Sequence, residues 1–210
     1  MTELILARHG QTAWNVVEVF RGRSDIPLDE TGLRQAELLA DYLRERRIEA
    51  VYSSPLQRAL KTARAIASRH KLDVVITQGL NDLRFGEWEG LPVTEVREKY
   101  ATLHKEWIET PHLVEIPGGE RLDDVTGRVL TFVNDVVTRH KGTVVLVSHR
   151  VVHKVLILAL MGLDSSHLWN VKLDTAAITT FAYENDRWIL NEHNNTCCLQ
   201  PLTQPKLKDF

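Results

Sequence analysis

Two histidines stand at the ends of apolar runs, in Ala7-Arg8-His9-Gly10 and in Val147-Ser148-His149. In an open α/β sheet, ligands bind beyond the carboxyl ends of the strands, so both imidazoles fall where a site is expected. A single histidine in such a place is most often structural. Two of them, with arginines close by in sequence, favour chemistry. A neutral imidazole attacks phosphorus well once its tautomer is fixed and the phosphate charge is offset. Phosphoryl transfer passes through a loose transition state with charge spread over the equatorial oxygens. Its catalysis is therefore mostly positioning and cationic clamping. Arginines such as Arg8 and Arg58 offer bidentate contacts to phosphate that lysine does not match.

The segments around these residues alternate short apolar runs with amphipathic stretches, the pattern of an α/β layered fold. Leu4 to Ala7 reads as a buried strand. Thr31 is a candidate N-cap for a helix carrying Leu33, Ala36, Leu39, Ala40 and Leu43 at helical spacing. Ala50 to Tyr52 is a second strand. Ser54-Pro55 is then the expected cap and first residue of a helix with Leu56, Ala59, Leu60, Ala63 and Ile66 on one face. Val74 to Ile76, a helix from about Asp123 to His140 and the strand Thr143 to Val147 follow. An apolar helix spans Val151 to Leu163, and Ala177 to Tyr183 with Trp188 to Leu190 closes the sheet as a hairpin. The expected architecture is a three-layer α/β/α fold with a mostly parallel central sheet. Residues 1–210 are read as a single domain, with a small cap insertion at about 89–119.

The chain has 210 residues, enough to bury roughly 70% of the surface its unfolded form exposes, so the core needs no staples. Its net charge of −2 provides no general attraction for nucleic acid or anionic membrane, and neither is an expected partner. The N-terminal apolar run lacks a basic start and ends at Arg8, and the longest apolar stretch, Val155 to Met161, is too short to span a bilayer. The two cysteines, Cys197 and Cys198, are adjacent and cannot complete a four-ligand zinc site. A cytoplasmic setting is expected. His149 and His153 are four apart, but no glutamate between them could act as a base, and no metal is expected.

Arg8-His9-Gly10-Gln11-Thr12, followed by Trp14-Asn15, resembles the signature of the histidine phosphatase superfamily, also called phosphoglycerate mutase-like. The similarity continues in order through Arg21-Gly22, Asp29 to Ala36, Tyr52 to Ala63, Leu80-Asn-Asp82, Phe85 to Gly90, Pro117 to Glu120 and Val147 to His149. The resemblance implies that His9 is the nucleophile and that Arg8, Arg58 and His149 form the phosphate pocket. It also implies that Asn15, Arg21 and Gly22 contact phosphate or substrate. One carboxylic acid can protonate the leaving alkoxide and later activate water. The family usually has Glu there, whereas this chain has Asp82, one methylene shorter. Glu87 and Glu89 are alternatives, more readily taken as solvated charges beside Trp88. Arg150 stands where the family usually has Gly, and it either adds a charge to the site or points to solvent. Arg84 is a further substrate-contact candidate, while Trp88 and Trp107 are read as packing. The tail from Pro201 to Phe210 has two readings: a disordered end, or, as the resemblance implies, a segment that folds over the site.

These features imply a phosphomonoesterase of the compact phosphatase branch that needs no cofactor and acts on a small phosphorylated metabolite. A homodimer is common in the family. The alternatives are a cofactor-dependent mutase and a catalytically silent phospholigand-binding protein. Some blocks resemble α-ribazole phosphatases, others metal-independent phosphoserine phosphatases. Extra cations at Arg21, Arg84 and Arg150 suit a substrate with a carboxylate beside its phosphate.

Overall fold

Six strands form one sheet in the order β3-β2-β4-β1-β5-β6. The computed structural model describes residues 1–202, so most of the C-terminal tail discussed above lies outside the described residues. In chain order the elements are β1 (Thr2–Arg8), α1 (Ala13–Val16), α2 (Glu30–Leu43), β2 (Ile48–Ser53), α3 (Gln57–His70) and β3 (Val74–Ile76). There follow α4 (Val93–Lys99), α5 (Ala101–Glu109), α6 (Leu122–Arg139), β4 (Thr143–Ser148), α7 (Arg150–Leu160), β5 (Ile178–Glu184) and β6 (Arg187–Asn195). Strands β1 to β4 pair in parallel, and β5 joins β1 antiparallel with β6 beyond it.

Alternation along the central strands divides the interior into two layers. Leu4, Leu6, Val144 and Leu146 pack with Val125, Val129 and Val133 of α6 and with Val152, Val155 and Leu156 of α7. Ile5, Ala7, Val145 and Val147 pack with Leu39, Ala40 and Leu43 of α2 and with Ala59, Ala63 and Ile66 of α3. Both faces of β1 and β4 are thus covered, as the unbroken apolar runs in those strands require. The insertion contributes α4 and α5. Its Val93, Val96, Trp107, Val114 and Ile116 join the α6–α7 layer together with Trp88, so the insertion shares the main core.

Two helix starts differ from the sequence expectation. Asp29, not Thr31, caps α2, with its Oδ1 accepting the Gly32 amide at 2.8 Å. A carboxylate is the stronger acceptor at the positive end of a helix. Helix α3 starts at Gln57 rather than at Pro55, and the Ser54 hydroxyl lies 2.7 Å from His149 Nε2.

The loop after β1 is pressed against the start of α2. Gln11 N donates to Gln35 Oε1 at 2.7 Å, and Asp29 N donates to the Gln11 carbonyl at 3.1 Å. A Cβ on Gly32 would collide with that carbonyl. Gly32→Ala is therefore expected to lower stability by about 1–3 kcal/mol and to displace the loop carrying His9. Urea unfolding and phosphatase activity measured together test this, and an unchanged midpoint would refute the tight contact.

Candidate active site

Parallel pairing of β1 with β4 places Arg8 opposite Ser148, so His9 and His149 leave the sheet side by side. Their ring centroids are 5.2 Å apart. The main chain of His9 is held on both sides: its amide donates to the Ser148 carbonyl at 3.1 Å, and its carbonyl accepts the Ala176 amide at 3.2 Å. Gly10 N donates to Thr62 Oγ1 of α3 at 3.2 Å.

The His9 side chain is buried, and its Nδ1 lies 2.6 Å from the Gly10 carbonyl. A carbonyl only accepts, so Nδ1 carries the proton and Nε2 keeps its lone pair. Burial holds the His9 pKa well below the ordinary histidine value, and Arg58, Arg8 and Arg21 push it the same way. The ring is neutral, oriented and set amid cations.

Arg58 is fully buried and braced by carbonyls. Nη1 donates to Ser24 O at 2.7 Å and Nη2 to Gly22 O at 2.8 Å. Nη2 also meets Asp82 Oδ2 at 2.9 Å, and Nε donates to His149 Nδ1 at 3.3 Å. With Nδ1 accepting, His149 donates through Nε2 to Ser54 Oγ. Asp82 Oδ2 is 3.4 Å from His149 Nδ1, so Asp82, Arg58 and the two histidines form one cluster. Burial, then Arg58 and His9, keep the His149 ring neutral as well.

Arg8 is buried, with Nη1 donating to the Leu173 carbonyl at 2.5 Å. Arg21 is buried, and its Nε and Nη1 have no hydrogen-bond partner among the described residues. Desolvation and repulsion from Arg8, Arg150 and Arg58 disfavour its charge, against a smaller opposing pull from Asp82. Such a group calls for an anion. Arg21, Gly22, Asp82 and Arg150 line one cleft with Phe20, Phe85 and Val151. Arg150 is thus at the cleft, near enough to Arg21 to repel its charge. Gly22 takes a positive φ of 50°, and a Cβ there would strike Glu89. The Glu89 carboxylate instead accepts the Arg23 and Phe85 amides and so ties the two loops together. Glu87 accepts from the Tyr100 hydroxyl. Asn15 Oδ1 accepts from the Thr12 amide and hydroxyl, both at 2.9 Å, which leaves its amide group as a donor.

Arg84 is not brought to this cleft: its side chain is exposed, and its amide donates to Glu120. Trp88 and Trp107 are core residues. Sequence reasoning missed Ser54 as the partner of His149, and it missed the Gln11–Gln35 and Gly10–Thr62 contacts. The Ser54-Pro55 pair carried a signal, but it read equally well as a helix cap. Among the described residues no group of three or more His, Cys, Asp or Glu could hold a metal ion. No helix there is long and apolar enough to cross a membrane.

The family model described as the histidine phosphatase superfamily (branch 1) matches residues 4–196. The chain belongs to this superfamily. Phosphoserine phosphatase 1 of Hydrogenobacter thermophilus is 40% identical over 200 residues, covering 95% of each chain. Among solved structures, Bacillus stearothermophilus YhfR superposes with a TM-score of 0.91 at 30% identity, over 95% of this chain and 100% of that one. A phosphoserine phosphatase mutant from Entamoeba histolytica, in complex with phosphoserine, superposes with a TM-score of 0.86 at 29% identity. It too covers 95% of this chain and 100% of its own. Both solved structures thus share the fold of this chain.

His153, one turn into α7, is fully buried, and neither ring nitrogen makes a hydrogen bond among the described residues. Burial, reinforced by Arg8, lowers its pKa to about 3. The unfolded chain protonates its histidines near pH 6.5, whereas the folded chain resists doing so at His9, His149 and His153. Stability is thus expected to fall as pH drops below about 6.5, by up to about 1.4 kcal/mol per pH unit for each such histidine. Urea midpoints at pH 7, 6 and 5 measure the slope. His153→Leu removes one contributing proton, and a slope equal to the native one would contradict this assignment.

Proposed function

We propose that this histidine phosphatase is a metal-independent phosphomonoesterase that hydrolyses a small phosphorylated metabolite through a phosphohistidine at His9. The observation that carries the reading is the His9 ring, its Nδ1 tied to Gly10 O and its Nε2 left beside the buried guanidiniums of Arg8, Arg21 and Arg58. Nε2 attacks phosphorus in line, the N–P bond forms and the bond from phosphorus to the leaving oxygen breaks. The guanidiniums and the Asn15 amide hold the equatorial oxygens as charge spreads over them. His149, neutral and locked by Ser54, completes that wall of the pocket. Substrate phosphate competes with Asp82 for Arg58, and the freed carboxyl group can carry a proton to the leaving oxygen. In the second half-reaction Asp82 takes a proton from water, which attacks the phosphohistidine and releases phosphate.

The expected result with p-nitrophenyl phosphate in excess chelator is steady phosphate release that disappears in His9→Ala. Acid quenching of the native chain should trap an acid-labile phosphoenzyme. Chelator-sensitive turnover, or turnover surviving His9→Ala, would sink the proposal.

For the substrate, we take a phosphomonoester with a carboxylate near its phosphate. Arg150 lines the cleft beside Arg21, one cation beyond those assigned to phosphate, and the relative of highest identity reported above is a phosphoserine phosphatase. Phosphoserine should be hydrolysed with a higher kcat/KM than neutral sugar phosphates. Arg150→Ala should shrink that preference by about tenfold, the worth of one charge-assisted contact. Equal efficiency on both substrate types in the native chain would exclude the carboxylate.

A further inference from the structure

Asp82 is held at every polar atom. Its amide donates to Asn81 Oδ1 at 3.0 Å, Oδ1 accepts the Leu83 amide at 2.9 Å, and Oδ2 accepts Arg58 Nη2 at 2.9 Å. Its main-chain carbonyl takes two guanidinium donors, Arg23 Nε and Arg128 Nη2, each at 3.2 Å. Arg23 comes from the segment between α1 and α2, whereas Arg128 belongs to α6, which packs behind the sheet.

Two cations sharing one carbonyl repel each other unless an anion lies between them. Glu120 fills that place. Its Oε1 is 3.0 Å from Arg23 Nη2 and 3.2 Å from Arg128 Nε, and its Oε2 accepts from Arg128 Nη2 at 3.3 Å and from the Arg84 amide at 3.0 Å. The Glu120 amide returns a hydrogen bond to the Arg84 carbonyl at 2.9 Å. The three side chains are only 19–27% exposed, so solvent screens these contacts less than it would at the surface. Arg128 Nη1 also donates to Gly79 O at 3.0 Å, which brackets the 79–84 segment from both ends.

We propose that Glu120 is a positioning residue for Asp82: by holding Arg23 and Arg128 together on the Asp82 carbonyl, it sets where the carboxyl group meets the leaving oxygen. The inference rests on the reading of Asp82 as the acid. An aspartate carboxyl is attached one bond from Cβ, so its reach follows the main chain closely. The longer glutamate that the family usually carries could rotate to absorb a displaced backbone, and aspartate has no such slack.

Leaving-group dependence tests the proposal. A p-nitrophenolate leaves without a proton, whereas an alkoxide needs one, and kcat/KM reports only the steps through phosphorylation of His9. For an alkyl phosphate that the native chain hydrolyses, Glu120→Gln is expected to lower kcat/KM about tenfold or more, with p-nitrophenyl phosphate changed less than about twofold. Arg128→Lys, whose single ammonium lacks the planar fork that spans Gly79 O, Asp82 O and Glu120, should give the same pattern, and thermal unfolding checks that each variant is folded. Asp82→Asn is the calibration. If Asp82→Asn lowers both esters equally, the acid reading fails and the inference falls with it. If Asp82→Asn is selective but Glu120→Gln and Arg128→Lys lower both esters equally, or neither, the acid reading stands and the positioning role is overturned.

Discussion

Four guanidinium groups crowd around two imidazoles and the Asp82 carboxylate at the ends of β1 and β4. What makes this tolerable is the kind of partner they have. Arg8 is braced by the Leu173 carbonyl, and Arg58 by the carbonyls of Gly22 and Ser24. Carbonyl oxygens satisfy the N–H groups and fix the geometry, yet they carry no net charge. The positive potential survives and is available to a phosphate group. Had carboxylates done the bracing, the arginines would be equally well ordered, but their charge would be cancelled. Asp82 differs in kind, because its carboxylate meets Arg58 directly at 2.9 Å.

The same potential explains the state of the histidines. An imidazole buried beside cations stays neutral, and a neutral ring is the form that attacks phosphorus. The fold contributes the tautomer: the Gly10 carbonyl claims the Nδ1 proton of His9, while Ser54 and Arg58 bracket His149. These contacts depend on rigid neighbours. Both faces of β1 and β4 are buried under helices, and one of these is α3, which carries Arg58 and Thr62. Loops that reach the cleft are tied down one by one, through Glu89 at Gly22, Gln35 at Gln11 and Glu120 behind Asp82.

Much of this was legible in the residues. Apolar runs of the right length located the central strands to within a residue or two, because a strand buried on both faces has no room for polar side chains. Helical spacing identified α2, α3 and α6 for the same reason. The ordered blocks from Arg8-His9 to Ser148-His149 carried the family. The helix starts at Asp29 and Gln57 were misjudged, since several neighbouring residues could cap and the choice depended on what else their side chains touched. The two short helices of the insertion were unreadable, because each places only one or two apolar residues in a shared core rather than one of their own.

The sequence alone determined which side chains were available and in what order the chain delivers them: two strand-end histidines, a set of arginines, and an aspartate where a glutamate is usual. Only the tertiary structure decided which of them meet. Arg84, two residues from Asp82, has an exposed side chain, while Arg150 and Arg21, 129 positions apart, line the same cleft. Nothing in the spacing predicts that Arg23, Glu120 and Arg128 converge on one carbonyl. Charge–charge and hydrogen-bond energies depend on distances of a few ångströms, and those distances are set by packing between elements far apart in the chain.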